Sequence, residues 1–142
     1  MKLLIEVGRF IVTALAVALA VPLSLVVFPL FSAGGFSTSA FFGIGAVTFV
    51  FSLAGGLVFG LPALWFARQN HWDQSKWKLA IYGGFIGLLA GLITNALFWQ
   101  GNFELVMPSL FPFGMFGALG GIVAGLVWFL LHKNDRLIAN DA

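Results

Sequence analysis

The chain has 142 residues, of which 61% are apolar and 8% charged, and its mean hydropathy is +1.04. A soluble domain carries roughly a quarter charged residues on its surface, so this composition excludes a soluble globular protein. The net charge of +2 does not indicate a nucleic-acid partner, and the absence of cysteine excludes disulfides, thiolate metal sites and cysteine nucleophiles.

Two long runs of the sequence are almost free of ionisable residues. The run 10–67 contains none, and the run 79–131 contains only Glu104. One membrane crossing takes about 20 helical residues, because a bilayer core is about 30 Å thick and a helix rises about 1.5 Å per residue. Each run therefore suits two crossings, out and back. We predict an all-α membrane protein with a single domain, 1–142, in which four transmembrane helices form a compact glycine-rich bundle.

The first predicted span covers about 10–31. The small-residue run 16–20, which follows an N-terminal basic segment, is also typical of a cleavable signal peptide. The apolar stretch continues well beyond that point, which favours an uncleaved first helix. Glu6 and Arg9 precede the span and lie three residues apart, so we expect them to pair on one helix face.

The second predicted span covers about 40–67. Pro22 predicts a kink in the helix before it, and the uncharged segment 32–39, rich in Gly and Ser, predicts the turn that leads into it. The second span exceeds the length that a bilayer needs, so we expect it either to tilt or to break near Pro62. The polar connector 68–78 follows.

The third and fourth predicted spans cover about 79–99 and 109–131. A short loop, 100–108, joins them and holds Glu104, and a polar tail, 132–142, ends the chain. We expect Glu104 to be a solvated loop residue, with contact to an external partner as the alternative.

Basic residues predict the orientation of these spans. All seven Lys and Arg side chains lie in the N-terminal segment, the 68–78 connector and the tail, and none lies in the other two loops. The positive-inside rule then places both termini in the cytoplasm, in a bacterial inner membrane. Trp65, Trp77 and Trp128 are expected to anchor the inner ends of the spans, and Trp99 an outer end.

Small residues recur every four positions in three of the spans. Residues four apart lie on one helix face, where the lack of large side chains lets two backbones approach closely. These faces could meet inside one monomer, which we favour, or one of them could face another protein. The predicted helix-packing faces are formed by Ser52, Gly56 and Gly60, by Gly83, Gly87 and Gly91, and by Gly117, Gly121 and Gly125.

A weak repeat links the second and fourth spans. The segment 55–61 reads GGLVFGL and the segment 120–126 reads GGIVAGL, and each is followed by a Trp-Phe pair. A duplicated hairpin in parallel orientation would explain the match. Chance is the alternative, because Gly, Leu, Val and Phe dominate the composition.

One amide interrupts the apolar interior of the third span. Asn95 lies one turn beyond Gly91, and an amide in hydrocarbon needs a hydrogen-bond partner. We expect Thr94, Ser52 or Thr48 to supply it, so that these polar residues join helices. Contact with a solute is the alternative interpretation.

The connector combines aromatic and basic side chains. Trp72, Lys76, Trp77 and Lys78 are typical of an inner-face contact with anionic lipid headgroups. His71 and Asp73 beside them, with His132 from the tail, could in principle bind a metal, but ligand spacing alone is weak support.

No catalytic motif is present in the sequence, and no ionisable residue lies deep in a span, which weakens an interpretation as a proton-coupled pump. We predict no enzymatic activity, no cofactor and no metal. The leading hypothesis is a protein that packs against a partner inside the bilayer, either another membrane protein or itself, as an accessory subunit or a protective, immunity-type protein. The alternatives are a homo-oligomeric channel or transporter for a small solute, and a lipid-binding protein.

Overall fold

A computed structural model describes residues 2–27, 38–100 and 102–140, and every regular element in those ranges is helical. Four described stretches are long and apolar enough to cross a membrane, so the chain has the helices of a multi-pass membrane protein. The all-helical class and the four apolar helices are thereby confirmed. The elements are α1 (Lys2–Val27), α2 (Thr38–Gly55), a π segment (Gly56–Gly60), α3 (Leu61–Gln69), a 3-10 turn (Trp72–Gln74), α4 (Lys76–Phe98) and α5 (Phe103–Asn140).

Helices extend beyond the predicted spans at several ends. The first helix begins at Lys2, and the last continues through the polar tail to Asn140. The tail contains neither Gly nor Pro before that point and is rich in residues that tolerate a helix, so nothing stops the preceding helix. Most of the turn predicted at 32–39 lies outside the described residues, and α2 begins at Thr38.

The second span is formed by α2, the π segment and α3. Its hydrogen bonding changes just before Pro62, where the Leu61 N–H donates to the carbonyl oxygen of Gly56, five residues back. Proline has no N–H to donate to the preceding turn, and membrane helices often adjust to this loss with a local π turn. The helix therefore changes its winding near Pro62 and then continues to Gln69.

The four spans contact one another in a closed order. The largest interface joins α4 to α5, which follow each other in the chain. The first helix packs against both α2 and α5, and the π segment and α3 both contact α4. This arrangement brings the start of α1 beside the C-terminal half of α5.

A small core lies at one end of the bundle, which we call the charged end because it also carries Glu6, Arg9 and His132. Ala67, Leu79 and Trp128 are buried against one another there. The expectation that Trp128 anchors the membrane interface is therefore wrong. Its indole lies between helices because α3, α4 and α5 converge at this end.

Candidate functional site

The α4–α5 interface brings two of the predicted small-residue faces together. A Cβ added at Gly87 would overlap the carbonyl oxygen of Gly117, and one added at Gly117 would overlap that of Gly87. Gly83 and Gly121 stand in the same reciprocal relation one turn away. A Cβ added at Gly91 would overlap the backbone of Phe113 in the same way. The small-residue faces of α4 and α5 consequently pack against each other, backbone against backbone.

Gly125, the last residue of its stripe, approaches the start of α4. A Cβ there would lie 2.6 Å from the carbonyl oxygen of Leu79, closer than real Cβ contacts. Close backbone approach of this kind strengthens van der Waals contact between membrane helices, where no hydrophobic force joins them. The α4–α5 interface is therefore a structural unit whose glycines are not available to another protein.

The third small-residue face packs differently from the other two. The Ser52 hydroxyl lies 3.3 Å from the carbonyl oxygen of Ala14 on α1, and a Cβ at Gly56 would lie 2.8 Å from the ring of Phe10. Gly60 has no heavy atom of the described residues within 4 Å of an added Cβ. The stripe thus faces α1 along part of its length and is open at Gly60, rather than meeting the glycines of α4 and α5.

Asn95 forms interhelical hydrogen bonds, but with partners other than those expected. Its Nδ2 donates to the carbonyl oxygen of Val106 at 3.1 Å. The Ser109 hydroxyl lies 2.6 Å from Oδ1 of Asn95 and also 2.6 Å from the carbonyl oxygen of Leu105 in its own helix. The expectation that Thr94, Ser52 or Thr48 supplies the partner is therefore wrong. The side chain is fully buried, because the short turn after α4 returns the start of α5 directly over it. Thr94 and Thr48 are half-buried.

The residues expected at the lipid headgroups divide into two groups. Trp77 is 65% exposed, and the Lys76 ammonium lies 5.4 Å from the centroid of its ring. Lys78 is exposed as well. Trp72 instead is half-buried and packs edge-on against Phe66 and Tyr82, with ring centroids 5.8 Å and 5.2 Å apart. Of these four residues, Trp72 is the one that packs within the protein, where it stabilises the connector.

A network at the charged end joins α1 to α5, and the sequence alone did not reveal it. The Arg9 guanidinium lies 3.2 Å from Glu6, which confirms the expected pair. The same carboxylate lies 3.2 Å from Nε2 of His132, whose Nδ1 lies 2.9 Å from the carbonyl oxygen of Trp128. The only available signal was topological, since four spans place the start of the first helix near the end of the last.

A metal centre receives no support from the described side chains. Among them, no group of three or more His, Cys, Asp or Glu residues is close enough to hold a metal ion. His71 lies 3.5 Å from Gln74 within the connector, whereas His132 contacts Glu6 on α1. The side chain of Asp73 lies outside the described residues.

The second span presents the most open surface of the bundle. No residue between 45 and 66, a range that is described in full, is buried, whereas α1 buries Ala14, Val17, Ala18 and Val21. Gly55, like Gly60, has no described heavy atom within 4 Å of an added Cβ. Large apolar side chains such as Val58, which is 63% exposed, complete this surface.

A shallow groove lies between α1 and α5, towards the end of the bundle opposite the charged end. Its volume is about 250 Å³ and its lining is almost wholly apolar. Among the described residues of that lining, Ser24 has the one polar side chain, and its hydroxyl donates to the carbonyl oxygen of Val21 in its own helix at 2.6 Å. The described part of the groove thus offers no polar group free to orient a solute.

Comparison with known proteins gives no relative. No protein-family model, no curated protein and no solved structure matches the chain.

Proposed function

We propose that this chain is a non-enzymatic protein of a bacterial inner membrane that works by packing its second span against a partner in the bilayer. The observation that carries the proposal is the contrast between two sets of glycines. Those of α4 and α5 are filled by each other, whereas Gly55 and Gly60 on the second span are open. A Cβ added at either position would meet no described heavy atom within 4 Å, so a partner helix could approach these two α-carbons.

Open glycines on a lipid-facing helix need a reason. Glycine in a helix costs about 0.5–1 kcal/mol relative to alanine, and lipid tails gain nothing from its lack of a side chain. A second helix does gain, because two backbones can then approach closely. Gly55 precedes the π segment and Gly60 is its last residue, and π turns within helices are frequently found at functional sites. The second span is therefore the surface that best suits a partner.

Charge supports the proposed orientation. Among the described residues, Arg9, Arg68, Lys76 and Lys78 are on the segments that meet at the charged end, whereas Glu104 is on the turn at the other end. By the positive-inside rule the charged end faces the cytoplasm, so both termini are cytoplasmic. The segments 28–37 and 99–102, which join helices on the other side, are short stretches of sequence, so the intramembrane surface is the main site for recognition.

A channel or transporter receives less support. Such a protein needs polar groups that face a pathway, yet several of the described polar groups of the spans are engaged elsewhere. Asn95 and Ser109 bond to each other, and the hydroxyls of Thr13 and Ser24 donate to backbone oxygens of their own helix. These bonds stabilise helices, and the apolar groove between α1 and α5 does not replace a polar pathway.

Site-specific photocrosslinking in native membranes tests the proposal. A photoreactive residue at Val58, on the open surface, is compared with one at Leu97 on α4, which is 71% exposed and serves as a matched lipid-facing control. We expect a protein adduct from position 58, no adduct from position 97, and loss of the first adduct in Gly55→Leu. An adduct of twice 15.3 kDa would identify a second copy as the partner. Lipid adducts alone at both positions would overturn the proposal.

A further inference from the structure

Both ring nitrogens of His132 face atoms that can only accept a hydrogen bond. Nδ1 lies 2.9 Å from the carbonyl oxygen of Trp128, and Nε2 lies 3.2 Å and 3.4 Å from the two carboxylate oxygens of Glu6. A neutral imidazole carries one N–H and therefore satisfies one of these contacts, whereas an imidazolium carries two and satisfies both. With Glu6 as a carboxylate, both contacts are therefore hydrogen bonds only when the imidazole carries a second proton.

An aromatic ring and a guanidinium border the pair. The indole of Trp128 stacks on the imidazole with ring centroids 4.4 Å apart and planes inclined by 29°, and an aromatic face attracts a cation. The Arg9 guanidinium, which is always charged, lies 3.2 Å from Glu6 and favours the carboxylate anion there. The side chain of His132 is 10% exposed and that of Glu6 is 44% exposed, so the ring is shielded from water while the carboxylate is partly solvated.

We propose that Glu6 and His132 form a proton-dependent clasp that fastens α1 to α5 at the charged end. A neutral imidazole donates to only one of these acceptors, so loss of the histidine proton turns a nitrogen lone pair either towards the carboxylate of Glu6 or towards the carbonyl oxygen of Trp128, and the contact between the helices weakens. Protonation of Glu6 at low pH removes the negative charge that attracts the imidazolium. The clasp is therefore tightest while His132 is an imidazolium and Glu6 a carboxylate, and it loosens when a proton change removes either of those charges.

Apart from Arg9 and the pair itself, the described Lys, Arg and His side chains near this end are exposed, and those of Lys2, Asp135 and Arg136 lie outside the described residues. Arg68 on α3, Lys76 and Lys78 on α4, and Lys133 beside the histidine are all exposed. His71, after α3, is exposed and contacts Gln74. Of the described acidic side chains, Glu6 is the one that contacts the His132 ring, and this contact links α1 to α5.

Distance measurements between spin labels test the clasp, and the cysteine-free chain makes the labelling selective. One pair of labels replaces Leu4 on α1 and Leu130 on α5, which are 80% and 64% exposed. A control pair joins Ile81 on α4 to Leu130, across the glycine interface. We expect the α1–α5 distances to lengthen and broaden as the pH rises, and the α4–α5 distances to stay constant.

The variant Glu6→Gln separates proton binding from mere contact. Its amide can donate to the Nε2 lone pair of a neutral histidine, so we expect α1–α5 distances that no longer change with pH. A His71→Gln background leaves one histidine, whose ring nitrogens are followed by ¹⁵N NMR. The Nε2 signal and the α1–α5 distances should change over the same pH interval. Distances that are constant in the parent protein, or that change equally in Glu6→Gln, would overturn the proposal.

Discussion

Gly87 and Gly117 face each other so closely that a Cβ on either would overlap the carbonyl oxygen of the other. The contact is reciprocal, and the adjacent pair Gly83 and Gly121 repeats it one turn away. The backbones of α4 and α5 therefore touch along their shared face. The stability of this pair of helices therefore depends on the lack of a side chain at these four glycines.

Substitution at this interface should be costly even for the smallest side chain. We expect Gly87→Ala to lower the free energy of unfolding by about 1–3 kcal/mol, the usual cost of overpacking, because the neighbour is backbone and cannot rotate away. Gly55→Ala should leave that free energy unchanged or raise it by up to about 1 kcal/mol, since it meets open space and favours the helix. Denaturation by SDS in mild detergent measures both, and equal effects would contradict the assigned packing.

Asn95 and Ser109 should show a measurable coupling. A double-mutant cycle with Asn95→Ala and Ser109→Ala is expected to give a coupling free energy of about 0.6–1.7 kcal/mol, the range found for hydrogen bonds between membrane helices. Ser24→Ala serves as the control, because its hydroxyl bonds within its own helix. Additive effects of the two single substitutions would show that the bond does not contribute to stability.

Gly56 and Phe10 should behave as a size-matched pair. A Cβ at position 56 would lie 2.8 Å from the ring of Phe10, so Gly56→Ala is expected to lower the thermal stability. Phe10→Leu removes the far edge of the ring and should recover part of the loss. Gly60→Ala, four residues along the second span, has open space and should cost nothing. A Gly56→Ala effect that Phe10→Leu does not relieve would place the strain elsewhere.

The two tryptophans of the connector should differ in their effects on stability. Trp72→Ala removes a half-buried ring packed on Phe66 and Tyr82 and is expected to cost about 1–3 kcal/mol, below the usual value for a buried aromatic residue. Trp77→Ala removes an exposed ring and should instead weaken the association with anionic lipid. Thermal unfolding and a comparison of anionic with neutral vesicles distinguish the two. A larger stability loss for Trp77→Ala would reverse this assignment.

The proposed orientation can be measured with single cysteines. Asn70 and Asn102 are exposed residues at opposite ends of the bundle. A membrane-impermeant thiol reagent applied to intact spheroplasts is expected to label Asn102→Cys and to label Asn70→Cys only after the membrane is opened. The reverse pattern would contradict the positive-inside assignment.

The sequence was sufficient to identify the helices but not to pair their faces. Spacing marks Gly56 and Gly121 alike, and the two even occupy matching positions in the weak repeat. In the structure one meets the ring of Phe10 and the other the backbone of Gly83. The repeat itself stays a prediction. The surface that a small-residue face packs against depends on the rotation and order of the helices in the bundle, which residue spacing does not encode.

Polar partners were missed for a related reason. Ser109 lies fourteen residues beyond Asn95, and its proximity depends on a tight turn in which the Asn102 N–H donates to the carbonyl oxygen of Trp99 at 2.9 Å. His132 and Glu6 lie almost at opposite ends of the sequence. Their contact requires that α1 pack against α5, and residue spacing in the sequence does not show which helices are neighbours.

The contact of α1 with α5 also has a consequence for how the protein is made. Chains emerge from the ribosome N-terminus first, and contacts between neighbouring segments form before distant ones. While the chain is still growing, α1 can pack on α2, but Val17 reaches Gly120 only after the last helix has entered the bilayer. The glycine-faced α4–α5 hairpin forms at the same late stage. One face of the first helix therefore stays uncovered until α5 enters the bilayer.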